Sequence, residues 1–363
     1  MNSSFLHLRL PKLFLRACWL SGLAWSLLIS AQQPPAAAPA AVPTAGQPAS
    51  SAPTEGMGYY FVQIADPQFG FFTGNPRMFE QETINFEFVI ASINRLRPAF
   101  VVVCGDLVHN DGDAGQVAEY KRIVAKLDPA IPVYTVSGNH DLSNTPTPEK
   151  LAFYREQFGK DWYSFRHADL YGIVLNSTIM MAPNGVPADA AAQEAWLREE
   201  LVRAKASGAK SIMVFQHHPF FIQSADEADP NSVPNPRRAT YLTLLKEYGV
   251  NYVFAGHLHR NAVAADGPLN MITTSAVGRP LGTDPSGLRV VIVRPNGVEH
   301  TFYGLGSVPT QVSLAARGRG GGRAGPGGGG AGRGAAPGGP PRGAPPTDTA
   351  PAQPTAPPVR GNP

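Results

Sequence analysis

The sequence predicts an α/β fold in which two packed sheets carry helices on their outer faces. Three observations lead there. Over the first half of residues 59–304, apolar runs of strand length alternate with stretches of helical periodicity, whereas the end of that block is strand upon strand. Pro295-Asn296-Gly297 marks a turn between the last two runs. Five of the apolar runs end in carboxylate, amide or imidazole side chains, which a buried strand gains nothing from. In an α/β sheet, residues just beyond the carboxyl ends of parallel strands gather in one crevice, so five strand ends are expected to deliver one cluster.

Tyr59 to Ile64 reads as the first strand and leads into Asp66 and Gln68. Over 78–96, Phe86, Val89, Ile90, Ile93 and Leu96 recur at helical spacing until Pro98 stops them. The second strand, 100–103, ends at Gly105-Asp106, and a second helix is expected over 115–127. Asp111-Gly112-Asp113 between them lacks the remaining ligands of a calcium loop and reads as a turn. The third strand, 131–136, runs into Ser137-Gly138-Asn139-His140-Asp141. A weaker helix over 148–158 precedes two short extended runs, 163–166 and 171–175, the second ending at Asn176, and then a helix over 188–206. The strand at 212–215 leads to His217, a loop takes 220–236, a helix 239–248, and the strand at 252–254 leads to His257 and His259. Strands near 271–275, 288–293 and 298–303 close the block.

The ends of the chain differ from this block. Residues 1–31 carry Arg9, Lys12 and Arg16, an apolar stretch from 17 to 29, and small residues at Ser30 and Ala31, the pattern of a secretory signal; the apolar part falls short of the roughly 20 residues a bilayer span needs. An uncleaved membrane anchor is the alternative; with a cleaved signal no stable span remains. A lipoprotein reading of Cys18 fails, because Arg16 lies in what would be the lipid-attachment box. Residues 32–58 form a Pro/Ala-rich linker and residues 305–363 a Gly/Pro/Arg-rich tail, both of disordered composition. The Arg-Gly steps of the tail resemble nucleic-acid-binding tails, but no aromatic residue is present for base stacking, so no specific nucleic acid is expected. A solvated spacer, or weak contact with anionic envelope polymers, fits better. The chain is therefore expected to be exported, periplasmic or secreted.

The formal charge of +3 divides unevenly. Three positive charges lie in the first 31 residues and five net in the tail, six arginines less Asp348, which leaves −5 for the remainder. A polyanionic substrate would be held there by metal rather than by a basic surface. With Cys18 in the signal, Cys104 stands alone, which excludes an internal disulfide in the mature chain; within an apolar run it reads as a small buried side chain.

Singly, each candidate motif is weak. Together, Asp-x-Gln, Gly-Asp, Gly-Asn-His-Asp, His-x-Pro and Gly-His-x-His, each after an apolar run, describe a divalent-metal site without thiolates. One shared carboxylate with separate sets on either side suits two ions, which polarise a phosphoryl group and generate hydroxide for in-line attack.

Asp66, Gly105-Asp106, Gly138-Asn139-His140-Asp141, His217 and Gly256-His257-Leu258-His259 resemble the signature of the calcineurin-like metallophosphoesterases. The resemblance covers residues 59–304 and implies a four-layer α/β/β/α sandwich of two mixed sheets with a dinuclear centre. It implies Asp66, Gln68, Asp106 and His259 on one metal, and Asp106, Asn139, His217 and His257 on the other, with Asp106 bridging. His217 is preferred to His218 because the family ligand stands two residues before the proline, here Pro219. His140 would stabilise or protonate the leaving oxygen and Asp141 would orient that imidazole. Gln68 departs from the family's usual histidine, which favours manganese or magnesium over zinc or iron, manganese first. The Asp-Pro-Gln form is similar to that of a serine/threonine-phosphatase subtype. His109 stands where purple acid phosphatases have tyrosine, so a coloured iron centre is not expected. His109 and Asn176 are candidate substrate residues, Phe69, Phe71 and Phe72 a candidate apolar wall with core packing for at least one of them, and Arg77, Arg260 and Arg279 are arginines that sequence does not place. The implied activity is hydrolysis of phosphate monoesters; the alternatives are a phosphodiesterase for nucleotides or lipid headgroups, and a non-catalytic envelope-binding protein.

Overall fold

The computed structural model describes residues 58–75 and 77–315. The expected signal, most of the linker and the tail beyond 315 lie outside them. Strands β1 (Tyr59–Ile64), β2 (Val101–Cys104) and β3 (Val133–Val136) are parallel, joined by helices α1 (Glu80–Leu96) and α2 (Ala114–Val124). The hairpin β10 (Gly287–Arg294) and β11 (Gly297–Gly304) adds antiparallel to β1, giving a first sheet in the order β11-β10-β1-β2-β3. The second sheet has the order β4-β5-β6-β7-β9-β8. Its centre, β5 (Leu170–Val174), β6 (Ser211–Phe215), β7 (Tyr252–Ala255) and β9 (Leu269–Thr273), is parallel; β4 (Tyr163–His167) and β8 (Ala262–Asp266) are antiparallel edges.

The period-two pattern of the strands explains why two sheets stack. On β2, Val101 and Val103 join the outer core while Val102 and Cys104 face the space between the sheets. On β6, Ile212 and Val214 point outward, Met213 and Phe215 inward. Strands apolar on both faces need cover on both. The middle is aromatic: Phe61 stacks on Phe100 at 4.7 Å and meets Phe215 and Phe254 edge-on at 5.8 and 5.6 Å. The outer face of the first sheet packs with residues of α1, α2 and α4 (Pro148–Phe158), and that of the second with residues of α6 (Pro187–Ala206) and α7 (Arg237–Glu247). Four layers, α/β/β/α, result.

Local signals set the boundaries. α1 ends at Arg97 in the left-handed conformation just before Pro98. Asp113 caps α2, accepting from the N–H groups of Gly115 and Gln116, so the Asp-Gly-Asp stretch is a turn and helix cap. The folded block runs past the expected boundary at 304: Leu305, Val308 and Val312 pack against the first-sheet core, and Arg95 donates to the Pro309 carbonyl at 3.3 Å. Among the strands and α-helices, three were not expected: β8 and the short helices α3 (Asn139–Leu142) and α5 (Ser177–Met181). Among the described residues no helix is long and apolar enough to cross a membrane.

Candidate metal centre

The parallel strands of both sheets end at one edge of the sandwich. Asp66 and Gln68 follow β1, Asp106 follows β2, Asn139 follows β3, His217 follows β6, and His257 and His259 follow β7. Each turn is tight. Of the eight non-glycine residues with positive φ among those described, five are Asp66, Gln68, Asp106, His257 and His259, so backbone strain is concentrated where the candidate ligands stand. Cross-loop bonds hold these turns: Asp66 N–H donates to Gly105 O at 3.1 Å, Gln68 N–H to Asp106 O at 3.0 Å, and His257 N–H to the Asp66 carboxylate at 3.1 Å. The loops are close enough that a Cβ at Gly138 would fall on Asp106 Oδ1, and one at Gly256 would stand 2.6 Å from Asp66 Oδ2.

Donor atoms of Asp66, Asp106 and His259 lie within 4.8 Å of one another, and so do ring nitrogens of His217, His218 and His257. Asp106 touches both groups, because its Oδ2 is 3.2 Å from His217 Nε2, which is itself 3.0 Å from Asn139 Oδ1. Two of the candidate imidazole donors and the Asn139 amide are oriented from behind. His217 Nδ1–H donates to Cys104 O at 2.8 Å and His259 Nδ1–H to the Arg279 carbonyl, which aims both Nε2 atoms at the carboxylates; His259 Nε2 is 3.4 Å from Asp66 Oδ1. Asn139 spends its amide N–H on Asn144 Oδ1 at 2.9 Å, leaving its oxygen for the site. Behind the His257–His259 turn, buried Arg289 on β10 donates to Thr274 Oγ1 and Asn261 Oδ1, both at 2.7 Å, and pairs with His300 Nδ1 at 2.9 Å.

The two donor groups are coupled electrostatically through Asp106 and His217. Burial works to raise the Asp106 carboxyl, yet His217 holds it well below the carboxylate range. Burial works to lower His217, yet Asp106 pushes it up to about 9. Gln68 Oε1 is buried without a hydrogen-bond partner, a loss of about 1–3 kcal/mol for an unsatisfied acceptor unless an ion takes its lone pair. Carboxylate, amide and imidazole donors with one orphaned oxygen fit divalent cations.

The remaining expected residues separate. His140 joins the cluster: its backbone N–H donates to Asp106 Oδ1 at 2.9 Å and its Nδ1–H to the His109 carbonyl at 2.8 Å. The expectation that Asp141 orients this imidazole is corrected, since neighbours on a helical turn point apart. Asp141 instead accepts from the N–H groups of Gly138, Leu107 and Val108 at 2.8, 2.8 and 3.1 Å, stitching the Asp106 loop to α3. Asn176 is corrected too: it is wholly buried, caps α5 through Thr178 and Ile179, and donates to Asp161 at 2.9 Å, with no face left for substrate. His109 lies at the rim, stacked on His140 at 4.7 Å. Of the three phenylalanines only Phe71 lines the site, 5.2 Å from both the His109 and His259 rings; Phe69 is core and Phe72 is exposed. Of the arginines, Arg279 lies against Phe71, its guanidinium 5.2 Å from the ring and bonded to Phe71 O at 3.2 Å, while Arg77 and Arg260 are exposed. His218 and Ser177 were not expected at the site: the family spacing to Pro219 selects His217 alone, and a serine opening an unforeseen short helix gives no signal at all.

A family model for calcineurin-like phosphoesterases matches residues 59–261. The chain is 38% identical over 264 residues to serine/threonine-protein phosphatase CPPED1 of Homo sapiens, covering 68% of this chain and 84% of that protein. To the Danio rerio protein of the same name it is 36% identical over 263 residues, covering 68% and 85%. Among solved structures it is similar in fold to a dimetal phosphatase from Danio rerio, with a TM-score of 0.52 at 16% identity, covering 68% of this chain and 96% of that one. Fold, buried donor cluster and these similarities define a metal-dependent phosphoesterase. The chain belongs to the calcineurin-like phosphoesterase family.

Proposed function

We propose that the chain is an exported phosphomonoesterase working with two divalent ions, manganese favoured. The observation that carries this reading is the place of Asp106, one buried carboxylate in reach of both donor groups. Asp66, Gln68, Asp106 and His259 would hold one ion, and Asp106, Asn139, His217 and His257 the other. Two ions bound there would neutralise phosphoryl charge and lower the pKa of water, supplying hydroxide at neutral pH as the nucleophile. A neutral amide oxygen at Gln68 in place of imidazole suits manganese or magnesium better than zinc.

The chain's own side chains do the rest. With Nδ1–H committed to the His109 carbonyl, the imidazolium form of His140 hands its Nε2 proton to the leaving oxygen and is left neutral, with its remaining proton on Nδ1. Asp141 keeps His140 and Asp106 in register through three backbone N–H groups. Phe71 and His109 exclude water from one side of the phosphate. The relatives are named for phosphoserine and phosphothreonine hydrolysis, which is monoester chemistry; for an exported chain, phosphoproteins outside the cytoplasm and small phosphate esters are the proposed substrates.

The test uses chelator-stripped protein reloaded with manganese, magnesium, zinc or iron separately, comparing nitrophenyl phosphate with its diester. Monoester turnover, highest with manganese, is expected. Dominant diester turnover would install the phosphodiesterase alternative, and no turnover with both ions bound would leave a binding protein. Export is checked by the mature N-terminus, expected to begin just after Ala31.

A further inference from the structure

Adjacent His217 and His218 carry opposite hydrogen-bond patterns, and Ser177 sets the second. Its Oγ accepts the N–H of His217 at 3.2 Å and of His218 at 2.8 Å, and lies 2.9 Å from His218 Nδ1. A hydroxyl has two lone pairs and one proton. With both lone pairs taken, the third contact is Oγ–H donating to Nδ1, so the His218 ring carries its proton on Nε2. A doubly protonated ring would bear a proton there as well, so the conclusion does not depend on pH. His217 is the reverse: its Nδ1–H donates to Cys104 O, so Nε2, which faces Asp106 Oδ2, is the nitrogen an ion would take in place of a proton.

A protonated Nε2 has no lone pair for a metal. Yet His218 offers a ring nitrogen within 4.8 Å of those of His217 and His257, and its ring lies 4.9 and 4.3 Å from theirs. It is 3% exposed, and its Nε2 has no hydrogen-bond partner among the described residues. What such a nitrogen meets beside metal-binding imidazoles is an acceptor that accompanies the ions. We propose that His218 contacts the substrate, its Nε2–H donating to a non-bridging phosphoryl oxygen held next to His217 and His257. Phosphoryl oxygens only accept, so a donor-only edge beside the cation site selects a phosphate anion rather than a third ligand. The proposal rests on the phosphoesterase reading of this site.

The test compares full-length manganese-loaded protein with H218F, which removes the donor, and H218Q, whose amide N–H reaches the same region. Bound manganese is counted by elemental analysis, inorganic phosphate affinity is measured by calorimetry, and kcat and KM are taken on nitrophenyl phosphate. Both variants are expected to keep the wild-type manganese content. H218F should lose about tenfold or more in phosphate affinity and in kcat/KM, the scale of one hydrogen bond to a charged group, and H218Q should recover most of it. Loss of an ion from both variants would make His218 a ligand and overturn the proposal, as would unchanged phosphate affinity in H218F. Nitrogen NMR of the wild type reads the tautomer without any variant: Nε2–H is expected, and Nδ1–H overturns it. Phosphate binding is read without turnover, so a wild type that binds phosphate through His218 but hydrolyses neither ester would defeat the monoesterase reading and uphold this one.

Discussion

The two sheets contribute to the site in different chemical currencies. The first supplies oxygen donors, Asp66, Gln68, Asp106 and Asn139; the second supplies nitrogen donors, His217, His257 and His259. Their support differs accordingly. The oxygen edge is held largely by N–H groups, three of them converging on Asp141 and one from His140 on Asp106. Two of the nitrogen-edge imidazoles are steered by carbonyls, those of Cys104 and Arg279. Carboxylates are held by backbone N–H groups and imidazole Nδ1–H groups by carbonyls, so both edges are fixed in geometry by the chain itself.

That contrast can be broken most severely at the one residue common to both edges. Asp106→Asn is expected to remove both ions and reduce turnover to background, with folding retained in circular dichroism; two ions per chain in the variant would show that the edges bind independently. Next in size is Asp141→Ala, which strands three backbone donors of the oxygen edge. At about 1–3 kcal/mol for each buried unsatisfied group, partly relieved by relaxation, a loss of about 3–5 kcal/mol is expected from urea unfolding. A change under about 1 kcal/mol would mean that the Asp106 loop is held elsewhere.

Gln68→His carries a nitrogen donor onto the oxygen edge. Zinc or iron binding should tighten by about tenfold, about 1.4 kcal/mol, in a competition titration; unchanged affinity would count against Gln68 as a ligand. The smallest effect lies behind the nitrogen edge, where burial and then Arg289 hold His300 down to about 4. Its folded value is below its unfolded value of about 6.5, so its contribution is full above that pH and is lost as pH falls from about 6.5 toward 4. His300→Gln should therefore flatten the decline of Tm between pH 7 and 5, modestly because the ring is only half-buried. An unaltered slope would assign the decline to other groups.

Much of this contrast is legible in the sequence, because an apolar run ending in a carboxylate or imidazole is an improbable use of a buried strand. The same rule misleads at Asn176: a run ending in a helix cap looks identical to one ending in a ligand until the short helix behind it is known. The Asp141–His140 pairing that the family resemblance implies fails because the helical turn of α3 sends the two side chains apart. β8 escaped because Ala262-Val263-Ala264-Ala265-Asp266 is a small-residue edge strand with alternate residues exposed, carrying little apolar signal. The packing of residues 305–312 was hidden by the neighbouring Gly/Pro/Arg composition. Positive φ at five candidate ligands is not legible either, since only two of the three turns that carry them, at Gly105 and Gly256, place a glycine directly before the ligand.

Cys104 serves the site through its carbonyl alone, while its thiol is sealed between the sheets and pushed up to about 12 by burial. Once Cys18 is replaced or removed, the protein carries a single native thiol that alkylating reagents reach only when the sandwich opens. The rate of labelling at Cys104 is thus a built-in clock for global opening, readable without a dye or an assay. Because that residue's backbone also steers His217, the same clock run with and without manganese would time how strongly the ions bolt the two sheets together.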